Sequence, residues 1–353
     1  MLRKLLASTF AMGLFATSFA QDSTQASSLT ISGSADVYYK YDFGKTRMNN
    51  FTSFTNSHNR IEPGMASVKF DHKTSRVNVV ADLGFGKRAT EFAYNDEGIL
   101  AAVKQLYVSY SPSAAVKFTA GSWATHVGYE LVDPQLNRNY SMSYMFTNGP
   151  FFHTGLKADL AFGKSGLMIG VANPTDFKYV PDDVNNKKFL LAQYSFAASD
   201  LFKMYLNYVG GTGLDSSKGN QFDVVLTSKL SDKFSLGFNG TVNSTQVWDG
   251  NKNLSGKSWW GSALYLNVDP TSTFGLTLRS EYFSDKNGLK LPMGPLEGCK
   301  MFANTLSANF RIDNFIIIPE FRIDNASEDI FTKANGTPTK TAGNFLLAAV
   351  YQF

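Results

Sequence analysis

From Leu29 to Phe43 the chain alternates. Leu29, Ile31, Ala35, Val37, Tyr39, Tyr41 and Phe43 fall on one side of an extended backbone, and Thr30, Ser32, Ser34, Asp36, Lys40 and Asp42 on the other; Tyr38 alone interrupts the pattern. The same period of two recurs to the end of the chain. Val77, Val79, Leu83 and Phe85 alternate with Asn78 and Asp82; Phe222, Val224 and Leu226 with Gln221 and Asp223; Phe274, Leu276, Leu278 and Tyr282 with Arg279 and Glu281; and Leu306, Ala308 and Phe310 with Thr305, Ser307 and Arg311. None of these segments has the i, i+3, i+4, i+7 spacing of an amphipathic helix. The pattern predicts an all-β protein whose strands each have an apolar and a polar face.

The links between the strands decide the architecture. Short links with turn chemistry, such as Thr74-Ser75, Ser231-Asp232 and Asp313-Asn314, alternate with longer polar links at about 44–63, 86–103, 124–152, 175–186, 211–219, 247–257, 286–300 and 325–340. Seven short and eight long links join 16 strands. Tight turns at one end and long loops at the other describe an up-and-down antiparallel transmembrane β-barrel, with short periplasmic turns and long extracellular loops. Fourteen strands is the alternative count, because the segments at 66–72 and 104–110 look short. A soluble β-sandwich would also alternate, but its loop lengths need not. The final strand, NFLLAAVYQF, puts Phe345, Leu347, Ala349, Tyr351 and Phe353 on the apolar face. An exposed edge this apolar is an aggregation hazard in water, and in a barrel it is paired.

Composition agrees with this reading. Aromatic residues make up 14% of the chain, with 30 Phe and 16 Tyr, yet the mean hydropathy is −0.16, as expected where apolar side chains are numerous but never contiguous. Residues 1–20 have Arg3 and Lys4, an apolar stretch and small residues up to Ala20, the layout of a secretory signal peptide, which leaves 21–353 as a single barrel domain. The formal charge of +4 includes those two cations, so nothing indicates a nucleic-acid partner. One cysteine, Cys299, excludes a disulfide framework, and the four histidines lack zinc-site spacing; no cofactor or metal is expected.

Chemistry is therefore expected inside the barrel. Alternation places Asp36, Lys40, Lys69, Asp71, Asp82, Lys117, Lys157, Asp159, Lys203, Asp223, Arg279, Glu281, Arg311, Glu320 and Arg322 on the lumen wall. Both signs are represented, which predicts a hydrated wall with weak ion selectivity, a permeability ratio below about tenfold. A barrel of 16 strands is also expected to be too wide for its own side chains to fill. The third long loop is the longest, and its Glu130, Asp133 and Arg138, set among Tyr and Met residues, suggest that it folds inward as a constriction. A rim hydrolase built from Ser141 or Ser143 with His126 or His153 is the enzymatic alternative, and it lacks a nucleophile-elbow motif.

At this loop the sequence resembles a known family. The segments GYE at 128–130, NRNYSMSYMF at 137–146 and GPFFHTGLKADLAFG at 149–163, with the terminal YQF, are similar to the OmpL-like, or β-barrel porin-2, outer-membrane porins common in Bacteroidota. The resemblance implies an outer-membrane channel that passes small hydrophilic solutes and brings no catalytic residues. The terminal Tyr351 and Phe353 resemble the signal by which the barrel-assembly machinery recognises outer-membrane proteins. Outer-membrane lipid is then the partner of the apolar face. A homotrimer is one arrangement for a barrel of this size, with Gly155, Ala158, Gly170 and Ala172 as small residues for a contact. The rival outside transport is a non-conducting barrel acting as a surface adhesin or binding scaffold.

Overall fold

Strand propensity and alternation act together: the β-branched and aromatic positions form the strands, and the Gly, Asn, Asp, Ser and Pro positions interrupt them. In a computed structural model, which describes residues 27–181, 187–199, 201–291 and 298–353, the strands on the short-turn plan are β1 (Ser28–Asp42), β2 (Arg60–Lys73), β3 (Val77–Phe85), β4 (Val103–Ser113), β5 (Val116–Ala124), β6 (Phe152–Phe162), β7 (Ser165–Ala172) and β8 (Phe189–Ser199). They continue as β9 (Phe202–Thr212), β10 (Lys218–Lys229), β11 (Phe234–Gln246), β12 (Lys257–Val268), β13 (Phe274–Asp285), β14 (Cys299–Ile312) and β15 (Phe315–Ala326). A two-residue hairpin, β16 (Phe331–Thr332) with β17 (Pro338–Thr339), decorates the last long link, and β18 (Thr341–Gln352) closes the chain. The expected signal peptide lies outside the described residues, as do parts of the links at 175–186 and 286–300.

Each strand pairs antiparallel with its neighbour in sequence, and β18 pairs with both β15 and β1, so the sheet is a closed barrel of 16 strands. Closure is completed by reciprocal main-chain bonds between Gly33 and Phe353, at 3.1 and 3.0 Å. The segments expected to be short are full strands of 14 and 11 residues, which removes the 14-strand alternative. Their alternation is broken by bulges that hide part of each strand from a period-two reading. One lies opposite Ala35 to Val37 on β2, the other between Asp82 and Leu83 at the start of β4.

Large apolar residues occupy the outer face, among them Leu106, Leu156, Ile169, Phe222 and Leu306. Toward its two ends this face carries aromatic pairs, Phe274 with Phe310 (5.1 Å between ring centres) at the short-turn end and Trp260 with Tyr282 (5.2 Å) at the long-loop end. An apolar band between aromatic girdles is what two bilayer interfaces require. Of the small residues considered for a subunit contact, Gly170 and Ala172 are buried on the inner face and Gly155 is opposite Ala172, leaving Ala158 facing out. Tyr38, which broke the alternation of β1, is buried on the inner face against Tyr140.

Candidate functional site

The wall side chains are met in the interior by the third long loop, residues 125–151. It enters from the long-loop end and packs across the lumen. Because a main chain crossing an interior has N–H and C=O groups that must find partners, the wall residues opposite it are polar and are used as anchors. Near its start, His126 bonds the Tyr208 carbonyl of β9 at 3.2 Å, and the Gly128 N–H donates to Asp223 of β10 at 3.1 Å. Tyr129 stacks on Tyr265 with ring centres 4.0 Å apart. Two wall glycines make room: a Cβ on Gly237 would lie 2.5 Å from the Tyr129 ring, and one on Gly261 would lie 2.7 Å from Met145.

The middle of the loop is clasped by β1, β13, β14 and β15. Glu320 accepts the N–H groups of Tyr140 (2.9 Å) and Ser141 (3.2 Å), and Glu281 accepts that of Tyr144 (2.8 Å). The Tyr140 hydroxyl donates to Asp36. Arg279, with none of its side chain exposed, donates to the Ser141 carbonyl at 2.7 Å and pairs with Glu130 at 2.5 Å, while Arg322 donates to the Met142 carbonyl at 2.7 Å. Ser143 caps the short helix α2 (Tyr144–Asn148) by accepting from the Phe146 N–H. Tyr144 and Met145 are buried among Trp259, Phe283 and Met301 of the wall.

Of the three loop residues singled out from sequence, Glu130 pairs with Arg279, Asp133 with Lys104 and Arg138 with Asp269. Asp269 follows β12 in a short turn, so the loop reaches the opposite end of the barrel from the one it enters. The remaining sequence-chosen wall residues divide into two sets. Asp82 is buried beside Lys104, and Lys40 holds the first long loop through Asn50 and the Thr55 carbonyl. Lys69, Asp71 and Lys203 share the inner face but stay partly exposed, as does the group Lys117, Asp159 and Lys157. Arg311 bonds Asp269 at 3.1 Å.

Sequence reasoning missed Arg88, Lys104 and Tyr140. Arg88 lies on a helix, α1 (Lys87–Ala93), inside what was read as a plain loop; buried, it donates to the Val132 and Tyr140 carbonyls at 3.1 and 3.3 Å. Lys104 falls on the apolar outer side by strict alternation from Leu106 and Val108, and the bulge turns it inward. The hydroxyls and imidazoles of the enzymatic alternative bond other partners, and the His126 and His153 rings lie 5.3 Å apart. Ser141 faces Arg279, Ser143 is the helix cap, and His153 bonds Thr125 at 3.1 Å.

Beside the loop a cavity of about 20 Å³ remains, bounded by Tyr129, Arg138, Asn139 and Asn267. It has room for about one water. What the arrangement can do is narrow the interior by holding a loop across it.

Above the loop, the second and fourth long links form a latch. Asp176 accepts the N–H groups of Phe151 (2.7 Å) and Phe152 (3.0 Å), Asn95 donates to the Asp176 carbonyl, and Lys178 pairs with Asp96 at 2.9 Å. Burial pushes the Asp176 carboxyl up to about 7, opposed by the two N–H donors and by Lys290 and Lys178. An acid whose folded value is raised contributes stability that is full below its unfolded value and is lost as pH rises through the folded one. Protease resistance of the 173–181 segment is therefore expected to fall between about pH 4 and pH 7. In Asp176→Asn the same digestion should show no pH dependence; an unaltered pH profile would remove Asp176 as the cause.

A family model described as "Putative beta-barrel porin-2, OmpL-like" matches residues 28–353. The chain belongs to this family. It is a β-barrel porin, and its fold is that of outer-membrane channels. Among solved structures, the porin is similar to the outer membrane channel DcaP of Acinetobacter baumannii, at 10% identity and a TM-score of 0.61, over 94% of this chain and 99% of that one. The OmpT protein of Vibrio cholerae, solved in a trimer form, gives 11% identity and 0.61 over 93% and 100%. The anion-selective porin from Comamonas acidovorans gives 10% and 0.61 over 93% and 100%. At these identities the likeness is one of fold. A comparison with curated proteins finds no match.

Proposed function

We propose that this porin lets small hydrophilic solutes diffuse across the outer membrane, with weak charge selectivity, and that the third long loop is its constriction. The observation that carries the reading is the anchoring of residues 126–145 to both sides of the interior wall, through Asp223 on one side and Glu281, Glu320 and Arg279 on the other. A barrel of 16 strands supplies the aqueous interior, and a loop held by buried acids and arginines sets its bore. Outer-membrane lipid covers the apolar face. Tyr351 and Phe353, both exposed on that face, are the residues offered to the barrel-assembly machinery after signal-peptide removal, and a homotrimer is the assembly proposed. Channel rather than enzyme is the reading that the family supports.

The rival, a non-conducting surface scaffold, draws on the same dense packing of the loop. Purified protein in a planar bilayer decides between them. Discrete conductance steps are expected, and a correctly assembled barrel that passes no current would overturn the porin proposal in favour of the scaffold.

A further inference from the structure

The interior charges divide by whether they hold the third loop. Asp36, Asp223, Glu281 and Glu320 are occupied by O–H and N–H donors of that loop, because only acceptors can satisfy the amides of a chain crossing a lumen. They lie buried, and the arginines beside them are buried too. The charges left in contact with water follow another pattern. Asp159 stands between Lys117 at 3.4 Å and Lys157 at 3.7 Å, with Lys117 34% exposed. Asp269 stands between Arg138 and Arg311, each between a quarter and a third exposed. Each group is one carboxylate between two cations, which leaves one positive charge in surplus. Lys203 adds another at the short-turn end of β9, while Lys69 and Asp71 offset each other.

We propose that the wetted part of the lumen is electropositive and that the solutes this porin favours are small anions, chloride and short carboxylates among them. The inference rests on the channel reading above and deepens it. Loop anchoring takes Asp36, Asp223, Glu281 and Glu320 out of contact with water, together with Lys104, Arg279 and Arg322, and the charges that stay wetted are mostly basic. A unit surplus about 8 Å from a passing ion in water favours an anion over a cation by about fivefold, and salt screening lowers this. The expected preference therefore stays within weak selectivity.

Reversal potentials across planar bilayers in a KCl gradient test this. The wild-type porin should prefer chloride over potassium about two- to fivefold, and acetate in place of chloride should keep the sign. Lys117→Glu with Lys157→Glu should reverse the preference toward potassium, while Lys252→Glu, in the link after β11, should leave it unchanged. Heat-modifiable migration on gels checks that each variant is assembled; if the double Glu variant fails to assemble, Lys117→Gln with Lys157→Gln should bring the ratio toward one. A cation preference in the wild type, or a chloride preference that survives both sets of changes, overturns the proposal while leaving the channel intact. Absence of any conductance in assembled protein defeats the channel reading and this inference together.

Discussion

Excising residues 133 to 145 is expected to raise single-channel conductance severalfold. The deletion removes Asp133, Arg138, Tyr140 and Tyr144, and with them the anchors to Lys104, Asp269, Asp36 and Glu281. What remains is a barrel whose 16 strands are paired without a gap and whose ladders do not depend on the loop. A wall of that size encloses an aqueous channel when nothing occupies it. Heat-modifiable gel migration would show that the shortened protein is assembled. Conductance equal to the full-length protein in that state would sink the constriction, since the loop would then not lie in the path of ions.

Replacing Arg279 by Ala is expected to be the most damaging single substitution in the interior. Its guanidinium is fully buried, pairs with Glu130, lies 3.6 Å from Glu281 and donates to the Ser141 and Met142 carbonyls. Removing one partner of a buried ionic group leaves uncompensated charge and costs about 3–5 kcal/mol. Glu130 and the Ser141 carbonyl lose their donor while Glu281 loses a neighbouring cation, so the effect belongs at the upper end of that range. A Lys in its place should recover little, because one ammonium cannot reproduce a fork that reaches a carboxylate and two carbonyls. Denaturant unfolding in detergent, together with hydrogen exchange at residues 139–145, measures the effect. A midpoint and exchange pattern like those of the wild type would mean that the arginine does not hold the loop.

Much of the barrel was legible because an apolar outer face and a polar inner face impose a period of two on the strands. Val77 to Phe85 and Phe274 to Tyr282 declare their faces, and alternating link lengths give the strand order. What escaped was written in a different language. Lys104 sits at a bulge, and one extra residue inverts the parity on which the reading depends. Tyr38 looked like noise on the polar face because its apolar partner, Tyr140, is distant in sequence and comes from a loop. The inward fold of the third loop could be suspected from its length and its Tyr and Met content. Its anchors could not be assigned, since a carboxylate that accepts loop amides and one that faces water alternate alike along a strand. Arg88 was hidden most completely, on a seven-residue helix in a link that has no period to read.

The third loop takes its hydrogen bonds from residues far later in the chain, with Tyr140 and Glu320 separated by 180 positions and Ser141 and Arg279 by 138. Contacts of such long sequence separation form late and slowly, after the chain between them has been ordered. During biogenesis the loop is consequently expected to wait for its later partners until β13, β14 and β15 have joined the sheet. Maturation is therefore expected in two stages, an early insertion of the cylinder and a late docking of the loop, with the newborn barrel transiently leakier than the adult.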